Sequence, residues 1–470
     1  MLDYVKNKKK FTWFLFFIVL TNLLIVINYY DGFFLSDEFN FFLSFEEGIN
    51  VFTDTSWEYY RPIPLGYLNI MYQLFGLNPI PYHLFSILMN SINTILYLLL
   101  TLKLFKSEFA SYFATILYIS FYGLYFEVFF WIAAIFDIFM VFFLLCSLHM
   151  FINYYRNNKY NTLYFYITGI FVLLAFLSKE TAIAIVPVFV AFDYFKIKDI
   201  KSFLKKSWKY IIYIPIPIIF ISLRMSGQTT PSYRIIIWII LLVLIGVLCI
   251  PLFLKLKKIN DPTGVLVYLL AFFSTIILIL NFIGRFLNFA AIGISSAVSY
   301  KYFKNFDTSL KEGLYKAFRY KIDGKMNKSL ILMVSFISFS SIYYGIANYS
   351  YYVASTSTYN ISNKIIDDNP VNKTIYIINI PYFPLTWSLQ EVHLEWSIKL
   401  LSGEVFEINH LIFNDANRYK SEWHLFYGAE LISPSQYDIL TQNSSNQIYL
   451  YDINILSIRN ISYIPYSDLF

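Results

Sequence analysis

The chain has 470 residues, of which 58% are hydrophobic, 21% are aromatic and only 14% are charged. An average soluble domain carries about 25% charged residues, so this composition, with a mean hydropathy of +0.55, excludes a soluble enzyme, a disordered chain and a fibrous protein. The net charge of +6 is not gathered into a basic stripe, so no nucleic acid partner is expected.

Apolar runs long enough to cross a membrane recur along the chain. A spanning helix needs about 20 mainly apolar residues to cross about 30 Å of hydrocarbon. The sequence therefore predicts a mainly α, polytopic membrane protein surrounded by membrane lipids, with about eleven transmembrane helices. The predicted spans are 11–29, 80–102, 109–126, 131–152, 163–178, 181–195, 209–223, 235–254, 264–281, 284–302 and 329–348.

The distribution of lysine and arginine predicts the orientation of these spans. With a cytoplasmic N-terminus, the loops on the inner side hold 25 of the 36 basic residues, and the outer loops before residue 350 hold 5. Cytoplasmic loops are enriched in basic residues. An odd number of spans then places the segment after the last span on the extracytoplasmic side.

Residues 350–470 differ in composition from residues 1–349, which form the predicted transmembrane domain. Short β-branched and aromatic runs at 374–380 and 447–453 predict strands, and 389–401 predicts an amphipathic helix. We therefore expect a small extracytoplasmic α/β domain in this segment.

The first outer loop, 31–79, is acidic and contains a carboxylate pair, Asp37 and Glu38, among apolar residues. Most of its acidic residues fit a solvated loop, but burial of this pair at the membrane interface would raise a carboxylate pKa toward that of a general base. Arg61 comes next, before prolines that predict a bend, and a helix along the membrane surface is expected over 66–75.

Further ionisable residues are predicted at the outer ends of the spans. Such groups are costly at this depth and often line a functional cavity, although snorkelling or pairing between helices explains them equally well. The cations are suited to an anionic headgroup, whereas His83 fits a hydrogen-bonded structural role. No histidine spacing indicates a metal site. The candidate binding residues are Arg61, His83, Asp137, Lys179, Glu180, Arg224, Arg234 and Arg285.

Several short motifs, in this order and on this side of the membrane, resemble the GT-C superfamily of membrane glycosyltransferases, and within it the protein O-mannosyltransferase and TMTC-type group. The likeness covers roughly residues 10–195. It is carried by Ser36-Asp37-Glu38, Tyr60-Arg61-Pro62-Ile63, the run from Phe75 to Pro79, Tyr82-His83-Leu84, the run from Trp131 to Asp137, and Leu177-Ser178-Lys179-Glu180.

The resemblance implies that Asp37, with Glu38 beside it, is the catalytic base. It also implies a polyprenyl-phosphate-linked sugar donor whose phosphate faces the neighbourhood of Lys179 and Arg285, and an inverting transfer. The acceptor is left open among a glycan, a lipid and a protein.

Two other functions remain as alternatives. A transporter or flippase for a lipid-linked or anionic substrate would be expected to show inverted repeats and charges near the middle of the membrane. A non-catalytic scaffold would act through the C-terminal domain alone.

Overall fold

The computed structural model is mostly helical, and its described part carries a β-sheet near the C-terminal end. The structure describes residues 8–26, 32–35, 37–52, 60–121, 130–156, 162–197, 199–207, 261–281, 287–303, 352–368, 373–378, 391–402, 408–413, 430–443, 446–452, 457–460, 462 and 464.

The regular structure described before the sheet is helical. The helices are α1 (Lys8–Val26), α2 (Asp37–Glu46), α3 (Pro62–Phe75), α4 (Pro79–Phe105), α5 (Glu108–Ser120), α6 (Ile135–Arg156), α7 (Thr162–Ser178), α8 (Ile185–Ile197), α9 (Ile200–Ser207), α10 (Pro262–Asn281), α11 (Leu287–Phe303) and α12 (352–368). Two short 3₁₀ turns, Ile132–Ala134 and Glu180–Ala184, lead into α6 and α8.

Eight of the predicted spans coincide with helices of the described chain, and the spans at 209–223, 235–254 and 329–348 lie outside the described residues. Within the described ranges, two helical stretches are long and apolar enough to cross a membrane, Pro79–Phe105 with 27 residues and Ile132–Arg156 with 25. The count of eleven spans stays a prediction.

Helix α3 begins one turn earlier than the sequence predicted. Pro62 and Pro64 do not form a bend; they lie in the first turn of the helix, where backbone N–H groups have no partner inside the helix and proline costs nothing. The helix ends where predicted, at Gly76, whose φ of 54° is a conformation that glycine adopts without strain. Asn78 then accepts a hydrogen bond from the backbone N–H of Ile80 and caps α4.

The first outer loop is packed onto the helices where it forms α2. Phe34, Phe39 and Phe42 are fully buried, and Phe34 meets Tyr82 of α4 edge to face at 5.3 Å between ring centroids. Fully burying a large apolar side chain stabilises the packed state by about 2 kcal/mol. Helix α2 is therefore packed into the protein, whereas Glu46 and Glu47 at its end are exposed, which fits the solvated acidic residues expected in this loop.

Polar contacts tie the apolar helices to one another. Asn90 of α4 donates to Asn22 of α1 at 2.8 Å, and Tyr97 of α4 lies 2.6 Å from the hydroxyl of Ser295 in α11. All of these side chains are buried, so each would be costly without a partner. At Gly293, a Cβ atom would lie 2.6 Å from the Cα of Ala271, so the absence of a side chain lets α10 and α11 approach closely.

The elements of the C-terminal part are β1 (Thr374–Ile378), α13 (Glu391–Ser402), β2 (Ile408–Phe413), β3 (Glu430–Ile432), α14 (Pro434–Gln442), β4 (Asn446–Asp452) and β5 (Ser457–Asn460). The five strands form one sheet in the order β3-β2-β1-β4-β5, which is parallel except for β5, which runs antiparallel to β4. The predicted strands at 374–380 and 447–453 are confirmed as β1 and β4, and the helix predicted at 389–401 is confirmed as α13.

The predicted orientation is tested by labelling a single cysteine in α14. In a chain with Cys146 and Cys249 replaced by serine, Ser435→Cys, which is exposed, should react with a membrane-impermeant maleimide in intact cells. The matched control is Lys205→Cys, exposed on α9 and predicted to be cytoplasmic, which should react only after permeabilisation. The reverse labelling pattern would invert the topology.

Candidate functional site

Glu38 is buried at the start of α2, with 2% of the residue exposed. Its Oε2 accepts a hydrogen bond from the backbone N–H of Leu35 at 2.8 Å, and its Oε1 accepts one from Ala133 at 2.9 Å. The two amides belong to segments far apart in the chain. The carboxylate therefore fastens the start of α2 to the 3₁₀ turn that leads into α6.

Asp37 is the first residue of α2 and directly precedes Glu38. Its side chain lies outside the described part of the chain. A helix N-terminus favours a nearby negative charge by about 0.3–1 kcal/mol. The assignment of Asp37 as a base stays a prediction.

Arg61 pairs with Glu180 across a separation of 119 residues. The guanidinium Nη2 donates to Oε1 at 2.9 Å, and Nε donates to Oε2 at 3.1 Å, which is the bidentate geometry that favours arginine over lysine. Arg61 immediately precedes α3, and Glu180 opens the turn between α7 and α8.

The charge of Glu180 is maintained by this pairing. Burial alone would raise the pKa of the Glu180 carboxyl, but the adjacent Arg61 guanidinium and its hydrogen bonds lower that pKa to about 2. Glu180 is therefore ionised throughout the physiological pH range, and the pair carries no net charge.

Lys179 pairs with Asp137 deep in the protein. The Lys179 Nζ lies 2.5 Å from the Asp137 Oδ1, and both side chains are 2% exposed. Asp137 lies in the first turn of α6, where the helix dipole also favours its negative charge. This pair holds α6 to the end of α7.

The two ion pairs adjoin, and we refer to Arg61, Asp137, Lys179 and Glu180 as the charge cluster. Lys179 and Glu180 are consecutive, and the Arg61 guanidinium lies 5.2 Å from the ring centroid of Phe136, the neighbour of Asp137. Ion pairing, one of the interpretations that the sequence allows for Asp137, Lys179 and Glu180, is what the structure shows for these three residues. A contact of Arg61 or Lys179 with a lipid phosphate stays a prediction.

His83 anchors the backbone at the start of the second predicted span. Its Nε2 is 3.0 Å from the carbonyl oxygen of Gly32, and the residue is 1% exposed. Because this contact joins α4 to the segment just before α2, it supports the structural role that the sequence indicates for this histidine.

Three candidate cations, Arg224, Arg234 and Arg285, lie outside the described residues. Across the part of the chain that is described, no group of three or more histidine, cysteine, aspartate or glutamate side chains could hold a metal ion.

Two contributors to this region were not identified from the sequence. Phe136, whose ring faces the Arg61 guanidinium, is in the sequence only one of many apolar residues of a predicted span. Ser355 of α12 accepts a hydrogen bond from the Phe33 N–H at 3.1 Å, across 322 residues. No local pattern signals either contact, because each is created by tertiary packing.

Comparison with known families identifies the segment around the charge cluster. Residues 62–225 match the dolichyl-phosphate-mannose-protein mannosyltransferase family. The matched segment contains His83, Asp137, Lys179 and Glu180, and it begins one residue after Arg61. The matched segment includes both helical stretches of the described chain that are long and apolar enough to cross a membrane.

Two crystal structures of ArnT from Cupriavidus metallidurans are similar to the chain, each with a TM-score of 0.48. The apo structure is 12% identical and the match covers 96% of this chain and 94% of ArnT; the structure bound to undecaprenyl phosphate is 11% identical, with coverage of 95% and 94%. No curated protein matches the chain in sequence.

Breaking the buried pair should destabilise the protein far more than replacing it. Lys179→Met leaves the Asp137 carboxylate buried without its ammonium partner and should lower the free energy of unfolding by about 3–5 kcal/mol. The double variant Asp137→Asn/Lys179→Met removes both charges with little change in side-chain volume and should regain part of that stability, because no charge is then buried without a partner. Thermal unfolding in detergent measures both.

The matched control is the more exposed pair of Lys364 and Asp368, whose side chains are 41% and 19% exposed. Lys364→Met should change the stability by less than about 1 kcal/mol. If Lys179→Met has an equally small effect, the pair is not a structural constraint.

Proposed function

We propose that the protein is a glycosyltransferase that moves a sugar from a polyprenyl-phosphate-linked donor to an acceptor hydroxyl on the extracytoplasmic face of the membrane, with inversion at the anomeric carbon. The family match over residues 62–225 carries the proposal, because the family is described by a dolichyl-phosphate-mannose donor. The charge cluster lies within and immediately before this matched segment.

The geometry supports a division of labour between α2 and the charge cluster. Asp37 lies at the N-terminus of α2, and the adjacent Glu38 joins this end of the helix to the turn before α6. Asp137, in the first turn of α6, and Lys179 belong to the cluster. Sugar transfer from a phosphate requires a base that accepts the proton of the acceptor hydroxyl and cations that stabilise the departing phosphate.

In the proposed step, the Asp37 carboxylate accepts the proton of the acceptor hydroxyl while the hydroxyl oxygen forms a bond to the anomeric carbon. The bond between that carbon and the phosphate oxygen breaks, and its electron pair leaves with the polyprenyl phosphate. Arg61 and Lys179, held in place by their carboxylate partners, stabilise the negative charge on the departing phosphate without reorganising.

Asp37→Asn should lower the transfer rate by about 10²-fold or more, because the amide keeps the size of the side chain but cannot accept the proton. The assay uses purified protein in proteoliposomes. The donor is polyprenyl-phosphate mannose with a radiolabel in the mannose, and membranes of the source cells supply the acceptor. Glu46→Gln, at the exposed opposite end of α2, is the matched control and should retain the parent rate.

Activity of Asp37→Asn within a few-fold of the parent would overturn the assignment of the base. Movement of the donor lipid across the bilayer without sugar transfer would favour the alternative, a transporter or flippase.

Glu38→Gln should reduce the transfer rate less, by about tenfold, and through positioning. Both carboxylate oxygens of Glu38 accept backbone N–H groups, and glutamine would turn an N–H₂ donor toward one of them. If Glu38 only positions its neighbour, the pH at which the rate falls on acidification should be the same in Glu38→Gln and the parent. A shift of that pH, or a loss as large as in Asp37→Asn, would transfer the role of base to Glu38.

A further inference from the structure

Two helices of the C-terminal part belong to two hydrophobic cores at once. In α12, Ala354 is buried in the large core of the helical part, whereas Ile361 and Ile365 are buried in the core of the sheet. In α13, Ile398 lies in the sheet core and Leu400 packs against the large core. The sheet is therefore packed against the helical part, in addition to being connected to it along the chain.

The same two helices contact the chain on both sides of α2. Before α2, the hydroxyl of Ser355 accepts the N–H of Phe33 at 3.1 Å, and the Phe33 ring meets the Tyr359 ring at 4.9 Å between centroids. After α2, the Nζ of Lys399 lies 3.2 Å from the Oε1 of Glu47. Helix α2 itself packs against α13.

A buried contact connects the two helices to each other. The hydroxyls of Ser362 in α12 and Ser397 in α13 lie 2.8 Å apart, and both residues are fully buried. Because this contact holds α12 and α13 together, the contacts at the two ends of α2 are parts of one rigid support.

We propose that the C-terminal sheet and its helices α12 and α13 form a clamp that sets the position of α2, and with it of Asp37, relative to the charge cluster. The inference rests on the proposed function, since it assigns the clamp a part in the transfer reaction. Ser355 and Lys399 are positioning residues: they act on α2 and not on the substrate. The C-terminal part is then a component of the catalytic unit and not a separate binding module.

Rigid support of α2 matters because proton transfer requires the base within hydrogen-bond reach of the acceptor hydroxyl. A displacement of about 1 Å can cost about 10²-fold in rate. Glu38 fixes one end of α2 from the side of α6. The clamp restrains α2 through the C-terminal helices α12 and α13.

The test is the double variant Ser355→Ala/Lys399→Ala in the full chain. Hydrogen exchange measured by mass spectrometry should show α2 amides exchanging at least about fivefold faster, the effect of losing one net hydrogen bond. In the transfer assay, kcat should fall by at least a similar factor while the KM for polyprenyl-phosphate mannose stays unchanged. The midpoint of thermal unfolding should stay close to that of the parent.

Two variants serve as controls. Thr358→Val removes a buried hydroxyl on the same helix whose hydrogen bond, to the carbonyl of Ala354, stays within α12. Exchange of α2 and kcat should stay at the parent level in this variant. Lys399→Arg keeps the positive charge beside Glu47, so Ser355→Ala/Lys399→Arg should recover part of the loss.

The outcomes separate the clamp from the proposed function. Unchanged exchange of α2 in the double variant overturns the clamp, and so does faster exchange with unchanged kcat. If the parent transfers no sugar, the proposed function fails, and the catalytic part of the inference fails with it. Exchange of α2 then still shows whether the C-terminal helices hold it.

Discussion

Charged groups placed in an apolar helical protein must be paired, and this requirement organises the region around the charge cluster. An isolated buried charge costs several kcal/mol, whereas a paired one with good geometry is tolerated. Lys179 and Asp137 meet with both side chains 2% exposed. Their pairing fixes α6 against the end of α7, and the adjoining pair of Arg61 and Glu180 fixes the start of α3 to the same point. Three separate stretches of chain thus converge on four side chains.

Helix N-termini contribute to the same arrangement. Asp137 lies in the first turn of α6, Glu180 opens a 3₁₀ turn, and Glu38 accepts the N–H of Ala133 in the turn before α6. Backbone N–H groups at these positions have no partner within their own helix, and the helix dipole favours negative charge there. Glu38 accepts two backbone N–H groups, whereas Asp137 and Glu180 balance the two cations. The cations are thereby held in place before any anionic ligand arrives.

The C-terminal sheet extends this organisation beyond the apolar helices. Its core is built from β-branched residues of a mostly parallel sheet, such as Ile375 on β1 and Ile408 on β2, which are paired in register. Helices α12 and α13 pack in that core, and through Ser355 and Lys399 they also contact the residues on either side of α2. The segment that starts with Asp37 is consequently held from two directions, by the turn before α6 and by the C-terminal helices.

Composition and periodicity act locally, and they determined the local features of this protein. Apolar runs predicted the helices that coincide with eight spans, and runs of β-branched and aromatic residues predicted β1 and β4. The order of motifs also led to the family that matches residues 62–225. By contrast, the bend that the sequence predicted at Pro62 is wrong, and Pro62 lies in the first turn of α3. Whether a proline lies in a bend or in the first turn of a helix depends on how the residues after it pack.

Only the tertiary structure decided which charges are partners. Arg61 and Glu180 are 119 residues apart, and Phe33 and Ser355 are 322 apart, so no spacing in the sequence could predict either contact. The sequence identified the ionisable residues whose burial had to be compensated. The packing of the helices determined which group compensates each of them, because that choice depends on distances across the folded chain.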